Sequence, residues 1–327
     1  MTQVAVALHS APMKAYVLVS GPAATMLELR EKPQPQPSPA QLLVRIRAAS
    51  LNRGELIRGQ GLVKPGTEKP AGMDAAGEVV GTGERVMGRL PGAFAEYGLM
   101  DRQDAIPVPG NLSWEEAAAI PITFNVVYDM LVQQGGLKAG EWLLVTGVSS
   151  GVGVAAMQAG KALGARVVGT SGSSSKLDTL KDHGLDVGIP TRKSDFADAV
   201  LKATGGKGVN LVVNNVGGTV FAECIKCLGY EGRLATVGYL DHTMKAEIDL
   251  EALHSKRLKL FGVSNKLRTA EQRKATVDGM KRDFMPLFAS GKLKPLITRT
   301  FAFQDLPKAK DYMESDAGLG KIVVTVP

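Results

Sequence analysis

The stretch VTGVSSGVGVAA, residues 145–156, decides the fold. It reads as the end of an apolar strand, a glycine-bearing turn and the first turns of a helix. Such a junction is an anion site, because free backbone N–H groups and the positive end of the helix dipole point out of it. Gly151 and Gly153 allow the backbone to approach a pyrophosphate and the helix to pack closely on its strand. Ser150, Gly151, Val152 and Gly153 are therefore assigned to the phosphates of a dinucleotide. The strict GxGxxG fingerprint fails: aligned on Gly153, its first two glycines are Val148 and Ser150. Taken alone, the turn also fits a strand–helix corner that binds nothing.

The residues downstream favour the cofactor. Apolar runs at 142–147, 166–171, 209–216, 233–239 and 258–264, with a shorter one at 187–190, alternate with helical segments such as VGVAAMQAGKALG and SKLDTLKDHG. Near-continuous apolar strands separated by helices predict a parallel, doubly wound α/β sheet of Rossmann type. Upstream, residues 13–120 are rich in short strands and turns, as in a small β-barrel. KPQPQPSP, residues 32–39, reads as a stiff connector, since proline cannot enter a sheet interior. Ser113 and Glu116 form a capping box ahead of a helix. The tail, 292–327, turns β-like again and is expected to rejoin the first domain. The expected division is 1–120 with 292–327, and 121–291 for the nucleotide.

Composition narrows the function classes. No apolar run approaches the roughly 18 residues of a membrane span. Two cysteines in 327 residues argue against a disulfide framework and for a reducing, cytoplasmic compartment. Residues 1–12 read as a loose extension without the basic leader of a signal peptide. The formal charge of +7 is scattered rather than clustered, which fits one anion site on a solvated surface better than a nucleic-acid face.

The second strand selects the nucleotide. An NAD site carries an acidic residue there for the ribose hydroxyls. Here VVGTSGSSSK, residues 167–176, has none; Ser171 and Lys176 instead suit the extra phosphate of NADPH. The alternative is an ordinary serine-rich turn and helix cap.

Thr146-Gly147, Gly151 and Gly153 match the TGxxxGxG turn of short-chain dehydrogenases, and Asn214-Asn215-Val216-Gly217 echoes their NNAG. Those enzymes need a Tyr-x-x-x-Lys pair, in which the lysine lowers the tyrosine pKa. No tyrosine of this chain has lysine four positions on. The runs LLVRIRAASLNRGE, GMDAAGEVVGTGERVMG, GAFAEYGLM, AAAIPITFNVVYDML, GVSSGVGVAAMQAGKALGA, NNVGG and GKIVVTV, in this order, resemble instead the medium-chain dehydrogenase/reductase superfamily. Within it they resemble the zinc-independent quinone oxidoreductase branch, close to zeta-crystallin. That resemblance implies a GroES-like catalytic domain, a Rossmann domain, bound NADPH and a homodimer.

Zinc-dependent relatives carry Cys and Gly-His-Glu where this chain has Asn52 and Gly72-Met73-Asp74, so no metal is expected. Cys224 and Cys227 form a lone CxxC, read as packing rather than redox chemistry. The resemblance implies hydride transfer to a quinone or an α,β-unsaturated carbonyl compound. Asn52 and Tyr128 are its candidate catalytic residues, Asn52 either donating to a substrate oxygen or capping a turn. Thr123, Asn125, Asn215, Gly238 and Asn265 are expected near the cofactor or cleft. The chain departs from the family pattern at Thr191, where a tyrosine is usual, and adjacent Arg192 either takes over its phosphate contact or is a surface charge. It departs again at Val126-Val127 for Thr-Ala, at Glu55 for Asp, and in a shorter loop after Val80. An enoyl-thioester reductase and a non-catalytic NADPH- or RNA-binding protein are the alternatives. Neither nucleic acid nor membrane is an expected partner.

Overall fold

The computed structural model describes residues 11–21, 24–57, 66 and 68–327. The expected extension at 1–12 thus lies outside the described residues, except for its last two, and Pro12 already belongs to a strand.

The first half is built from β1 (Pro12–Ser20), β2 (Thr25–Pro33), β3 (Gln41–Ser50), β4 (Glu68–Pro70), β5 (Asp74–Val79), β6 (Arg85–Arg89), β7 (Tyr97–Asp101) and β8 (Ile106–Pro107). β1 pairs antiparallel with β2 and β4. The expected connector 32–39 gives up its first two residues to β2, where Pro12 faces Pro33. β2 is an edge strand, so a missing N–H at its end breaks no ladder. Between β3 and β4 lies the single helical turn α1 (Arg53–Leu56).

Two short helices, α2 (Trp114–Ala118) and α3 (Pro121–Tyr128), lead into the second half. The capping box is formed: Ser113 Oγ accepts from Glu116 N at 3.2 Å, and Glu116 Oε2 accepts from Ser113 N at 3.0 Å. There follow β9 (Trp142–Thr146), α4 (Gly151–Ala162), β10 (Arg166–Ser171), α5 (Ser174–Lys181), β11 (Val187–Pro190), α6 (Ala197–Ala203), β12 (Val209–Asn214), α7 (Phe221–Cys227), β13 (Leu228–Thr236), α8 (Leu250–Ser255) and β14 (Lys259–Gly262). These six strands are parallel, in the order β11-β10-β9-β12-β13-β14. Chain order reverses between β9 and β12, so the carboxyl ends of those strands open a crevice. Val145, Val167 and Val213 are fully buried, each contributing roughly 1.5–3 kcal/mol by leaving water.

The chain closes with α9 (Ala270–Asp283), α10 (Met285–Ala289), β15 (Ile297–Ala302), α11 (Leu306–Glu314) and β16 (Lys321–Thr325). β16 runs antiparallel to β3 and completes the mixed sheet β15-β16-β3-β5-β6-β8, with β7 also on β3. Its first residue, Lys321, therefore lies beside the end of β3, near the turn into α1. Tyr128 and Phe284 meet edge to face at 5.3 Å, as do Phe124 and Phe288 at 4.9 Å, which joins α3 to the α9–α10 pair. Among the described residues no helix is long and apolar enough to cross a membrane.

Candidate active site at the dinucleotide turn

Ser150 caps α4: its Oγ accepts from Gly153 N at 3.1 Å, and its carbonyl accepts from Val154 N. The N–H groups of Gly151 and Val152 have no acceptor within the helix and face outward. A Cβ on Gly153 would lie 2.5 Å from Gly147 O and 2.8 Å from Val148 Cα, so only glycine lets α4 seat against its strand. Gly147 itself has φ +61°, the left-handed turn that leaves β9. Thr146 and Asn215 cross-link the neighbouring strand ends: Asn215 Nδ2 donates to Thr146 O and Asn215 N to Thr146 Oγ1, both at 3.1 Å. Gly238 follows the end of β13, and a Cβ there would meet Asn215 O at 3.2 Å. The turn, Asn215 and Gly238 thus line one crevice mouth.

The adenosine end also has its elements in place. Ser171 Oγ lies 3.1 Å from Ser149 Oγ at the end of β10, and no carboxylate occurs from residue 167 to 176. Arg192 lies flat over Gly172, where a Cβ would be 2.2 Å from its Nε. Its guanidinium is exposed and makes no ion pair among the described residues, so it is available to a phosphate. Lys176 is not: its Nζ donates to the carbonyls of Asp316 and Gly318 at 2.6 and 2.7 Å. These residues fit a 2′-phosphorylated dinucleotide, with Arg192 rather than Lys176 as the free cation. Asn265 is exposed beyond β14 and, among the described residues, accepts only a long 3.5 Å bond from Arg268.

The pairing of β16 with β3 creates the second part of the site. Lys321 is buried, and its Nζ donates to Leu51 O at 3.0 Å and Asn52 Oδ1 at 2.7 Å, 3.9 Å from Asp74 Oδ2. Asn52 Nδ2 donates to Glu55 Oε1 and to Asp74 Oδ2, each at 2.7 Å. Asp74 also accepts from Ser50 Oγ at 3.1 Å and from Ile122 N, in the first turn of α3, at 2.7 Å. The stem of Lys321 reaches the dinucleotide turn, its Cδ 3.1 Å from where a Cβ on Gly151 would sit. Burial drives the electrostatics. Loss of water, then the neighbouring Asp74 charge, pushes the Glu55 carboxyl up to about 8. Burial likewise raises Asp74 and lowers Lys321, each opposed by the attraction between them.

The two residues expected to be catalytic are both engaged within the protein. Both amide hydrogens of Asn52 go to carboxylates, so in this arrangement it organises the group. The Tyr128 hydroxyl is committed away from this group. It donates to Asp283 Oδ2 at 2.6 Å and accepts from Arg282 at 2.9 Å, which ties α3 to α9. Thr123 Oγ1 and Asn125 Oδ1 are buried without a partner among the described residues. Thr191 Oγ1 bonds Asp195 at 2.6 Å. Sequence reasoning passed over Glu55, Asp74 and Lys321 as functional. The available signal was a charged residue opening the apolar run GKIVVTV.

Both cysteines are buried on α7 or at its end, and burial pushes the Cys227 thiol up to about 12. Of the positions that the resemblance aligns with zinc ligands, Asp74 accepts three hydrogen bonds, and Asn52 donates two and accepts one from Lys321.

Residues 151–277 match the family described as zinc-binding dehydrogenase. Similar solved structures include an NAD-dependent alcohol dehydrogenase, with 29% identity, a TM-score of 0.84, and 96% of this chain and 100% of that one covered. The quinone oxidoreductase of Thermus thermophilus, solved also in complex with NADPH, gives 26%, 0.82, 96% and 100%. Among curated relatives, the highly reducing polyketide synthase easB of Emericella nidulans is 31% identical over 297 residues, 86% of this chain but 11% of its own length. The chain spans between a tenth and a seventh of the curated relatives it matches. A Rossmann sheet joined to a mixed β sheet, with a glycine turn at the switch point, defines a two-domain dinucleotide-binding protein. In its nucleotide-binding half and in its whole fold the chain is similar to the alcohol and quinone dehydrogenases of the medium-chain dehydrogenase/reductase superfamily.

Proposed function

We propose that the chain is an NADPH-dependent, zinc-independent oxidoreductase that reduces quinones or α,β-unsaturated carbonyl compounds. The observation that carries the reading is the Asn52–Glu55–Asp74–Lys321 group. Asn52 and Asp74, which the resemblance aligns with zinc ligands of other relatives, are here hydrogen-bonded to each other, and Asn52 also to Glu55 and Lys321. An alcohol gives up hydride readily only when its alkoxide is stabilised, which is the usual task of that metal. A quinone or enone instead delocalises the charge it gains, so a buried cation and a positioned acid suffice. Lys321 supplies the cation.

NADPH, when bound, supplies the hydride. The turn at Ser150–Gly153 holds its pyrophosphate, Ser171 and Arg192 its 2′-phosphate, and Asn215 and Gly238 border the path to the nicotinamide. Two copies pairing along the exposed edge of β14, in the cytoplasm, belong to the same reading; sedimentation at a monomer mass would remove the dimer from it.

Reduction of an enoyl thioester is the second reading, favoured by the relatives within highly reducing polyketide synthases. NADPH oxidation followed with a quinone, an alkenal and an enoyl-CoA ester, each with and without chelator, tests both. Turnover of the first two, unaffected by chelator, is expected. Turnover confined to the thioester supports the second reading. Tight NADPH binding with no turnover of any acceptor refutes both and leaves a binding protein.

A further inference from the structure

We infer that Glu55 is the proton-holding residue of this site: its carboxyl carries the one proton that the buried Glu55–Asp74 pair retains, and Oε2 gives it up. The inference rests on the reductase reading and names the acid that reading requires.

The geometry assigns the proton. Asn52 Nδ2 has two hydrogens and places one on each carboxyl, Glu55 Oε1 and Asp74 Oδ2, both at 2.7 Å. Beyond that the partners differ. Asp74 receives Ser50 Oγ and Ile122 N and stands 3.9 Å from the Lys321 ammonium. Among the described residues Glu55 receives nothing more, and its Oε2 is buried without a partner. A buried anionic oxygen with no donor is costly, whereas a neutral carboxyl in the same place is not. Within the hydrogen-bonded group two carboxylates face one ammonium, that of Lys321, so ionisation of both would leave a net negative charge there. One proton neutralises it, and it belongs on the carboxyl with fewer donors. The charged groups facing Glu55 are Asp74 from β5, Lys69 from β4 and Lys321 from β16. Burial and Asp74 hold Glu55 protonated at neutral pH, against the pull of both lysines. Burial raises both carboxyls, but Asp74 has the extra donors and the nearby ammonium, so Glu55 is the protonated member of the pair and its acid.

The step balances. An enone that has accepted a hydride at its β-carbon is an enolate. Its α-carbon takes the proton from Glu55 Oε2, forming the second C–H bond and leaving Glu55 as a carboxylate. Solvent returns the proton, which the unfavourable charge of the group draws back.

Infrared titration of the cofactor-free protein, with 13C-labelled glutamate, tests the proton directly. We expect a protonated-carboxyl band that shifts with the label, persists through neutral pH and vanishes in Glu55→Gln. A wild-type band that disappears in the ordinary carboxylate range, or one that survives in Glu55→Gln, overturns the inference. The wild-type arm needs no variant to fold, and neither arm needs an acceptor. Enone reduction then reads the transfer. Wild-type kcat/KM should fall as pH rises past the titration of Glu55. Glu55→Gln should lose about a hundredfold at neutral pH, with that limb of the profile, and Glu55→Asp should recover part of both. Full enone activity in Glu55→Gln refutes the transfer. Failure of the wild type to reduce any acceptor would instead strike the reductase reading and leave the infrared result standing.

Discussion

The Lys176 ammonium donates to the main-chain carbonyl of Gly318 at 2.7 Å, 142 residues along the chain, and to that of Asp316 beside it. The lysine expected to hold a phosphate therefore already holds a loop. Arg192, stacked over Gly172 with no ion pair among the described residues, is left as the cation beside Ser171. Arg192→Ala should weaken NADPH binding by about tenfold or more, the scale of one charge-assisted hydrogen bond, and leave NADH binding nearly unchanged. Fluorescence titration of both nucleotides reads the difference. An equal loss for both would assign Arg192 to the surface.

Gly153→Ala places a methyl against two backbone groups, Gly147 O and Val148 Cα, neither of which can swing aside. Overpacking of this kind costs roughly 1–3 kcal/mol. A urea melt should show that loss, together with weaker dinucleotide binding because the turn is displaced.

Stability should fall as pH rises from about 4.5 to about 8 through the contribution of Glu55. In the unfolded chain its carboxyl ionises at the lower value; in the folded protein it stays neutral until the higher one. Across that window the folded state holds the extra proton, so raising the pH favours unfolding. Below the window both states are protonated and the effect is absent. Denaturation curves of wild type and Glu55→Gln, compared across this range, isolate the term: the wild type should lose stability relative to the variant as pH climbs.

Asp74→Ala removes the acceptor of Ser50, Asn52 and Ile122 and leaves Lys321 with weakened compensation. Breaking a buried charge pair on one side costs about 3–5 kcal/mol. Calorimetry should show a large fall in Tm. A change within experimental error would mean that water replaces the carboxylate.

Alkylation of Cys224 and Cys227 should be negligible in the native protein and rapid once it is unfolded, since both thiols are buried and kept protonated. Rapid labelling without denaturant would reopen a redox role.

The parallel sheet was legible because its strands are buried on both faces and so read as apolar runs. β9, β10 and β11 fall within a residue of their predicted bounds. β13 begins at Leu228, five residues before the expected start, because Tyr230 and Glu231 are exposed and Glu231 takes a positive φ of 56°. No apolar signal marks such a segment. The dinucleotide turn was legible from spacing, since its chemistry is local. The charged group was not: Lys321 meets Asn52 across 269 residues, and only the pairing of β16 with β3 brings them together. The commitment of Tyr128 to Asp283, 155 residues away, was hidden for the same reason.

The loop between α11 and β16 is fastened twice, and the two fastenings differ in how they withstand mutation. Arg53 grips it through the Asp316 carboxylate as well as the Met313 carbonyl, so a single codon change at 316 removes the ionic contact. Lys176 and Ser149 instead engage main-chain atoms, the carbonyls of Asp316 and Gly318 and the N–H of Gly320. Every residue type presents that carbonyl. Sequence drift at 316 and 318 therefore leaves the lysine's acceptors in place, and the seating of Lys321 just beyond them is insulated from the variability that surface loops accumulate.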